Sequence, residues 1–467
     1  MIKTQQQKIP MSWLILLAMP QFFSWWIGGI CGAPLVYSLT RMGIKAPTLF
    51  TAIGSMPDYM TILFIGPFIA WKSDRIWTRM GRRKPFILGG LTGMTLGAFL
   101  IPFAPNLYFL IPAIMLLAIG GSMSWNGAMP PLGTELVPQP QRGRSTAFGI
   151  FFGNLGGGLF FNYVIVKNVA EKKMFGLDWL SGEEMAYWIV AIGFLITAIY
   201  YLFMIRETPM PPAPGPDKFS VFPFIKSLFG EYQYRMIFLL SFAGVALNSG
   251  LAQLGTKIMT DQFGYDFKFI GTYQTALMMV RMFVILPIIG FLADRFNRRK
   301  LFVTSAILTV FHPVIWWSYL HFVNGMPKLP ELLICDIFGG FVHMQNNVIV
   351  GPLMFDYVSR KKMGTFCAGS AWVRSLSLVI INNGLGIFVQ SFNHYLPREG
   401  GKIDYSCGLL YNCGFYILGV IAMVLFMNAS HKNRVLPLGV MEHQEHAKAE
   451  AEAKSLAEQG RELVTEA

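Results

Sequence analysis

The chain has 467 residues, of which 54% are hydrophobic and only 13% charged, with a formal net charge of +13 and a mean hydropathy of +0.47. A soluble domain carries about a quarter charged residues, so this composition excludes a water-soluble globule and places the chain in a lipid bilayer. The excess cations sit in short clusters between apolar runs, a pattern that fits loops against an anionic leaflet and argues against nucleic acid as a partner.

Met1 to Pro10 is polar and leads into an apolar run too long for a signal-peptide core, so that run is read as a retained first span. Twelve apolar runs follow one another at about 11–38, 47–71, 86–104, 107–132, 146–167, 186–205, 234–259, 268–293, 301–321, 332–355, 364–392 and 406–428. Each can cross a hydrocarbon core of about 30 Å as a helix rising about 1.5 Å per residue. The predicted fold is therefore an all-α membrane protein. Its domains are a start at 1–10, a six-helix bundle over 11–205, a connector over 206–233, a second six-helix bundle over 234–428 and a tail over 429–467.

The connector opens on the proline-rich run Thr208 to Pro216, which prevents helix continuation and predicts an extended, semi-rigid link. The tail from Met441 to Ala467 is rich in Ala, Glu and Lys without a broad apolar stripe, and reads as a solvated helix or disordered. Of the five cysteines, Cys31, Cys335, Cys367, Cys407 and Cys413, the last two are too far apart on one helix to bridge, and neither a disulfide framework nor a zinc spacing is present.

Basic residues recur in alternate loops: Arg75, Arg79, Arg82, Arg83 and Lys84, then Arg142 and Arg144, then Arg295, Arg298, Arg299 and Lys300, then Arg360, Lys361 and Lys362. The positive-inside rule puts these loops, and with them both termini, in the cytoplasm. The two halves share an offset of 220 or 221 residues, which pairs Gly43 with Gly264, Asp74 with Asp294, Arg75 with Arg295, Pro131 with Pro352, Glu135 with Asp356, Val137 with Val358 and Gly143 with Gly364. One offset kept across four loops points to internal duplication and two pseudo-symmetric bundles.

Twelve spans in two halves, with Asp74-Arg75 and Gly81-Arg82-Arg83-Lys84 after span two and the shortened copy Ala293 to Lys300 after span eight, resemble the major facilitator superfamily. The version Ser73-Asp74-Arg75 followed by Gly81-Arg82-Arg83-Lys84-Pro85-Phe86-Ile87, with Pro67 seven residues before Asp74, is most similar to the sucrose–proton symporters and the related glycoside-pentoside-hexuronide cation symporters. The resemblance covers about residues 10 to 430. It implies secondary transport by alternating access, with proton-coupled symport of a sugar, glycoside or sugar acid. Transport of another small organic solute, such as an organic anion, is the alternative, and a non-transporting receptor ranks below both. The Gly-Pro pattern that marks drug–proton antiporters in span five is missing from Gly153 to Gly158, which counts against export.

The resemblance also implies a gate. In the family the equivalent of Asp74 meets the start of span eleven, while Arg75 and Arg79 are placed to form charge-assisted pairs with Glu135 at the end of span four. Asp294, Arg295 and Asp356 repeat the set in the other half. Such links would latch the halves on the cytoplasmic side in the outward-facing state. A purely topological charge cluster is the plainer reading.

Substrate chemistry is expected near the membrane midplane, between the halves. Counting back from the loop motif puts Asp58 about 24 Å from Asp74, in the outer half of span two, and Arg281, His343 and Arg374 about 15 to 20 Å from their loops. Gln21, Trp25, Trp26, Trp125, Asn126, Asn154, Asn248, Asn346 and Asn347 fall at similar depths. An ionised group there costs several kcal/mol without water, partner or ligand, which singles out Asp58, Arg281 and Arg374. Asp58 is the leading candidate for proton coupling, or else a hydrated residue near the surface.

Both arginines offer planar donor forks to hydroxyls or a carboxylate, or pair with Asp336 or a carbonyl as bundle glue. His343 is either a proton relay or ligand donor, or a satisfied packing residue. The amides line a hydroxyl-binding cavity or bond between helices, and the tryptophans stack on a sugar ring or pack.

The sodium-coupled relatives cluster carboxylates on spans two and four, whereas here span two holds only Asp58 and span four has no acid before Glu135. Protons are therefore favoured over sodium, which stays open. The acid on span one or four that anchors the sucrose–proton mechanism is absent as well, and two midplane arginines against one acid hint at an anionic cargo. HExxH, GxSxG and P-loop motifs are missing, so enzymatic function is not expected, and no cofactor or metal is. The expected partners are a small solute and the bilayer, the expected state is a monomer, and the expected location is a bacterial inner membrane.

Overall fold

The computed structural model describes residues 9–138, 141–207, 218–322, 329–355, 357, 363–396, 403–432 and 434–435. Among the described residues the chain is helical throughout, with isolated bridges but no strands. Ten helices among the described residues are long and apolar enough to cross a membrane, from Met11–Arg41 to Cys407–His431. The other two expected spans are also helical. Span ten is one helix, Leu329–Phe355, and span two is divided into Pro47–Gly54, Met56–Ile62 and Ile65–Ser73. The connector carries a helix that proline content did not suggest, Val221–Phe229, while the proline run at 208–216 lies outside the described residues, as does the tail from Met441.

The breaks have local causes. In span two, Pro57 and Pro67 each lack an amide donor, and a proline ring also clashes with the carbonyl four residues back. The chain turns at Ser55 and again at Phe64, whose φ of 63° is strained for an aromatic residue. In span seven the helix Tyr232–Asn248 ends at Asn248-Ser249-Gly250 and resumes at Ala252–Lys257. Asn248 donates its side-chain amide to the Gly244 carbonyl at 2.7 Å and Ser249 its hydroxyl to Ala246 at 2.7 Å, so both compete with the helix for its own acceptors.

We call the end of the bundle that carries Asp74 to Lys84 and Arg295 to Lys300 the basic end. At the opposite end the two halves are packed into one apolar core. First-half residues such as Leu35, Phe50 and Phe161 share it with Leu254, Ile258, Ile270, Leu385 and Val389 of the second half. Glycines allow this approach: a Cβ at Gly54 would overlap Gln253, one at Gly271 would overlap the Lys167 backbone, and one at Gly386 would overlap Thr51. Gln253 Nε2 donates to the Cys31 carbonyl at 3.0 Å, and the buried Lys257 lies 2.9 Å from Asp261 and 3.4 Å from Thr40. A second core around Phe238, Phe302, Val350, Phe366 and Phe426 is built by the second half with Leu228 of the connector helix and lies toward the basic end.

Candidate functional site

Span two and span eleven (Met363–Tyr395) run antiparallel along the seam between the halves, joined by four side-chain bonds. Thr48 Oγ1 donates to Gln390 Oε1 at 2.6 Å, Asn382 Nδ2 to Ser55 Oγ at 3.5 Å, Ser375 Oγ to Asp58 Oδ1 at 2.8 Å, and Trp372 Nε1 to the Ile62 carbonyl at 3.1 Å. The indole also stacks on Phe64 at 5.6 Å, so Trp372 occupies the break in span two and takes one of its loosened carbonyls. Asp58 is thus a partly buried carboxylate held across the seam, and the charge of the exposed Arg374 falls on it. Beside it on the first-half wall, Asn126 Nδ2 donates to Thr61 Oγ1 at 2.8 Å, and Thr61 meets Ser122 at 3.3 Å.

A second polar cluster lies wholly within the second half, on spans seven to ten and twelve. Asp336 accepts from the Trp316 indole at 2.8 Å and from the Tyr273 hydroxyl. His312 Nε2 faces the same carboxylate at 3.4 Å, an ion-pair distance, and His312 Nδ1 meets His343 Nε2 at 3.3 Å. His343 Nδ1 donates to the Leu247 carbonyl at 2.8 Å, at the break in span seven. Gly339 and Gly340 form the floor of the cluster, since a Cβ on the first would overlap the His312 ring and one on the second would press on the Arg281 guanidinium. Arg281 lies within the field of Asp336 and Tyr273, and its Nε is buried without a hydrogen-bond partner among the described residues.

At the basic end the ion pairs differ from the expected set. Glu135 is bound by Arg82 at 2.6 Å and by Arg83 at 2.6 Å, and Arg83 also reaches Asp74 at 2.6 Å. Arg75 instead stacks on Trp71 at 4.6 Å and donates to its carbonyl, and Arg79 is exposed. The cause is the turn at Thr78–Gly81, where Gly81 has φ 114° and folds the loop back, so the arginines after the turn face the acids. Glu207, just past span six, accepts the backbone amides of Arg82, Arg83 and Lys84 at 2.7 to 3.1 Å, an anion on the start of span three. These partners lie in the first half and at the start of the connector, so the cluster ties spans two, three and four to each other and to the chain just past span six. Arg295 lies 4.6 Å from the Phe291 ring, and the side chains of Asp294 and Asp356 lie outside the described residues.

A family model described as Major Facilitator Superfamily matches residues 49–381, which is most of the chain. The chain belongs to the major facilitator superfamily. It is a multi-pass membrane protein and a secondary transporter, with an all-α fold of that type. No curated protein matches the sequence.

Among solved structures it is similar to the POT family transporter PepTSo, at 13% identity and a TM-score of 0.64, covering 90% of this chain and 98% of that one. It is also similar to a POT family transporter in complex with 5-aminolevulinic acid, at 13% identity and 0.65, covering 90% and 95%. A third is a bacterial homologue of the human lysosomal transporter Spinster, in an inward-facing and occupied conformation, at 15% identity and 0.64, covering 90% and 96%. At these identities the likeness is one of fold, and it leaves the sugar-symporter branch as a proposal.

Superfamily membership sets the remaining expected residues in context. Trp26 is 2% exposed, stacked on Phe160 at 5.6 Å in a first-half aromatic cluster, which is a packing role. Trp25 is 42% exposed and packs over Gly153 and Gly157, and Gln21 accepts from Ser24 of its own span at 2.6 Å. Trp125 Nε1, Asn154 Nδ2 and Asn248 Oδ1 are buried polar atoms without a hydrogen-bond partner among the described residues. Such atoms are rare in folded proteins and call for a solute or water. The side chains of Asn346 and Asn347 lie outside the described residues. Sequence reading passed over Ser375, Trp372, His312, Tyr273 and Glu207. Each earns its place through a neighbour more than ten residues away, and only the Gly339-Gly340 pair within an apolar run hinted at a crowded site.

Proposed function

We propose that the protein is a proton-coupled symporter that moves a sugar, glycoside or sugar acid by alternating access, with Asp58 as the acid that answers to both proton and cargo. The observation that carries this reading is the Asp58–Ser375 hydrogen bond across the seam, under the charge of Arg374. A carboxylate at that depth needs a partner while ionised. Ionised Asp58 accepts from Ser375 of the other half and attracts the charge of Arg374 without an ion-pair contact. Once protonated it frees Arg374 for a cargo hydroxyl or carboxylate, and the seam is free to move. The partnerless atoms on Trp125, Asn154 and Asn248 support a cargo rich in hydrogen-bonding groups.

A second reading, transport of another organic anion, is favoured by the exposed Arg374 and keeps the same site. With the basic loops in the cytoplasm of a bacterial inner membrane, the packed opposite end corresponds to a state closed to the outside. A single chain supplies both halves of the path, so a monomer is the proposed unit.

The test is uptake by vesicles holding the purified protein, with an imposed pH or sodium gradient. The panel comprises neutral sugars, glycosides, sugar acids, a dipeptide and 5-aminolevulinic acid. Accumulation of a carbohydrate member under the pH gradient supports the reading. Accumulation of only the amino-acid-derived members moves the assignment to the second class, and accumulation driven by sodium alone overturns proton coupling.

A further inference from the structure

We propose that Asp336, His312 and His343 form a second protonation site, wired to the break in span seven and so to the closure of the opposite end; this rests on the proton-coupled reading above. The argument starts from hydrogen-bond direction. A carbonyl accepts only, so the 2.8 Å contact between His343 Nδ1 and Leu247 puts a proton on Nδ1. Neutral His343 then presents a lone pair at Nε2, and His312 Nδ1 must donate across the 3.3 Å contact. That leaves His312 Nε2 facing a carboxylate oxygen of Asp336 at 3.4 Å.

The Trp316 indole N–H can only donate, and the Tyr273 hydroxyl also donates to Asp336, so the carboxylate is held as an acceptor from both. Two lone pairs would face each other between His312 and Asp336 unless one proton lies between them. Taking up one proton there makes the 3.4 Å contact an ion pair at the end of the donor chain that runs from His312 through His343 to the Leu247 carbonyl, and losing it sets two acceptors against each other. The other titratable groups facing the pair are Arg281 and Tyr273 from span eight, Cys335 on span ten itself and Tyr416 from span twelve, whose ring lies 5.7 Å from His343. Among these described groups Arg281 is the only cation, and Glu331 adds a second acid beside Cys335.

The far end of the chain gives it a mechanical consequence. The break in span seven frees backbone carbonyls, and two of them are taken by side chains from other helices: Leu247 by His343 and Ser249 by the Tyr416 hydroxyl at 2.5 Å. Beyond the break, the segment Ala252–Lys257 carries Gln253 and Lys257, which reach Cys31 and Thr40 of the first half and seal the opposite end. Protonation of the Asp336–His312 pair therefore fixes the hinge on which the sealing segment turns. The protonated state favours the closed opposite end described here, and deprotonation loosens it.

The experiment uses the full chain in lipid vesicles, with its cysteines replaced and spin labels on Lys45→Cys and Lys268→Cys, two exposed positions at the opposite end. Distance distributions are recorded from pH 5 to pH 8 without cargo. Asp58→Asn is the background, so that the seam carboxylate does not titrate. The closed-to-open ratio should fall about tenfold across this range, and His312→Gln and Asp336→Asn should each reduce the change to about twofold or less. His343→Gln, which keeps an amide donor for Leu247 and an acceptor for His312, should retain closure at acid pH, which separates a titrating role from packing. A full pH response in both His312→Gln and Asp336→Asn, or none in Asp58→Asn while the unsubstituted protein responds, overturns this proposal alone. A ratio independent of pH in the unsubstituted protein overturns proton coupling along with it.

Discussion

Replacing Glu135 with Gln tests the rearranged ion-pair cluster at the basic end. The Arg83 side chain is 4% exposed and Arg82 11%, and both bind the Glu135 carboxylate, itself 21% exposed. Gln leaves one oxygen to accept but removes the charge that balances two nearly buried guanidinium groups. Breaking a fully buried pair costs about 3–5 kcal/mol, whereas an exposed pair is worth about 0–1. The partial exposure of Glu135, and the remaining contact of Arg83 with Asp74, put this case at about 2–3 kcal/mol. At about 2–4 °C per kcal/mol for a large domain, the melting temperature should fall by about 5–10 °C.

Thermal unfolding of detergent-purified protein, followed by loss of the monodisperse chromatographic peak, measures this directly. Arg79→Met serves as control, because Arg79 is exposed, and should change the midpoint by about 1 °C or less. A Glu135→Gln midpoint equal to that of Arg79→Met would refute the cluster. A large loss in Arg79→Met with none in Arg83→Met would restore the pairing expected from the loop sequence.

Two further substitutions probe the seam. Gly54→Ala places a methyl group where Gln253 lies, so the Gln253–Cys31 hydrogen bond is lost. At about 1 kcal/mol this should raise the rate at which a thiol reagent modifies Cys31, as the only remaining cysteine, by about fivefold; an unchanged rate means that the opposite end does not depend on this contact. Arg374→Lys keeps the charge but removes the fork, and should weaken cargo binding by about tenfold at a bidentate site. Equal affinity would make Arg374 structural.

Hydropathy located the spans because each must cross the same thickness of lipid, and residue counting put Asp58, Arg281 and His343 away from the loops along their spans. What counting along one helix lacks is direction around the helix. Ser375 reaches Asp58 only because spans two and eleven run antiparallel along the seam, and nothing near Asp58 in the chain signals this. His312 and Asp336 sit on successive spans, and their pairing depends on how two helices rotate against each other.

At the basic end the error had a different origin. Arg75 and Arg79 are nearer to Asp74 in the chain, but the turn at Gly81 reverses the loop and brings Arg82 and Arg83 to the acids. The glycine was visible within the motif, while its positive φ was not. Proline composition likewise marked the connector as a boundary yet missed the helix Val221–Phe229, which begins beyond the densest prolines.

The account turns on Asp58 as the carboxylate that couples a proton to movement of the halves. The most direct test compares the unsubstituted protein with Asp58→Asn in vesicles, using the panel member that accumulates, and measures both pH-driven accumulation and cargo exchange at equal pH. Asn still accepts the Ser375 hydrogen bond, so exchange should persist while accumulation against the gradient is lost. Accumulation that survives Asp58→Asn unchanged would contradict the assignment.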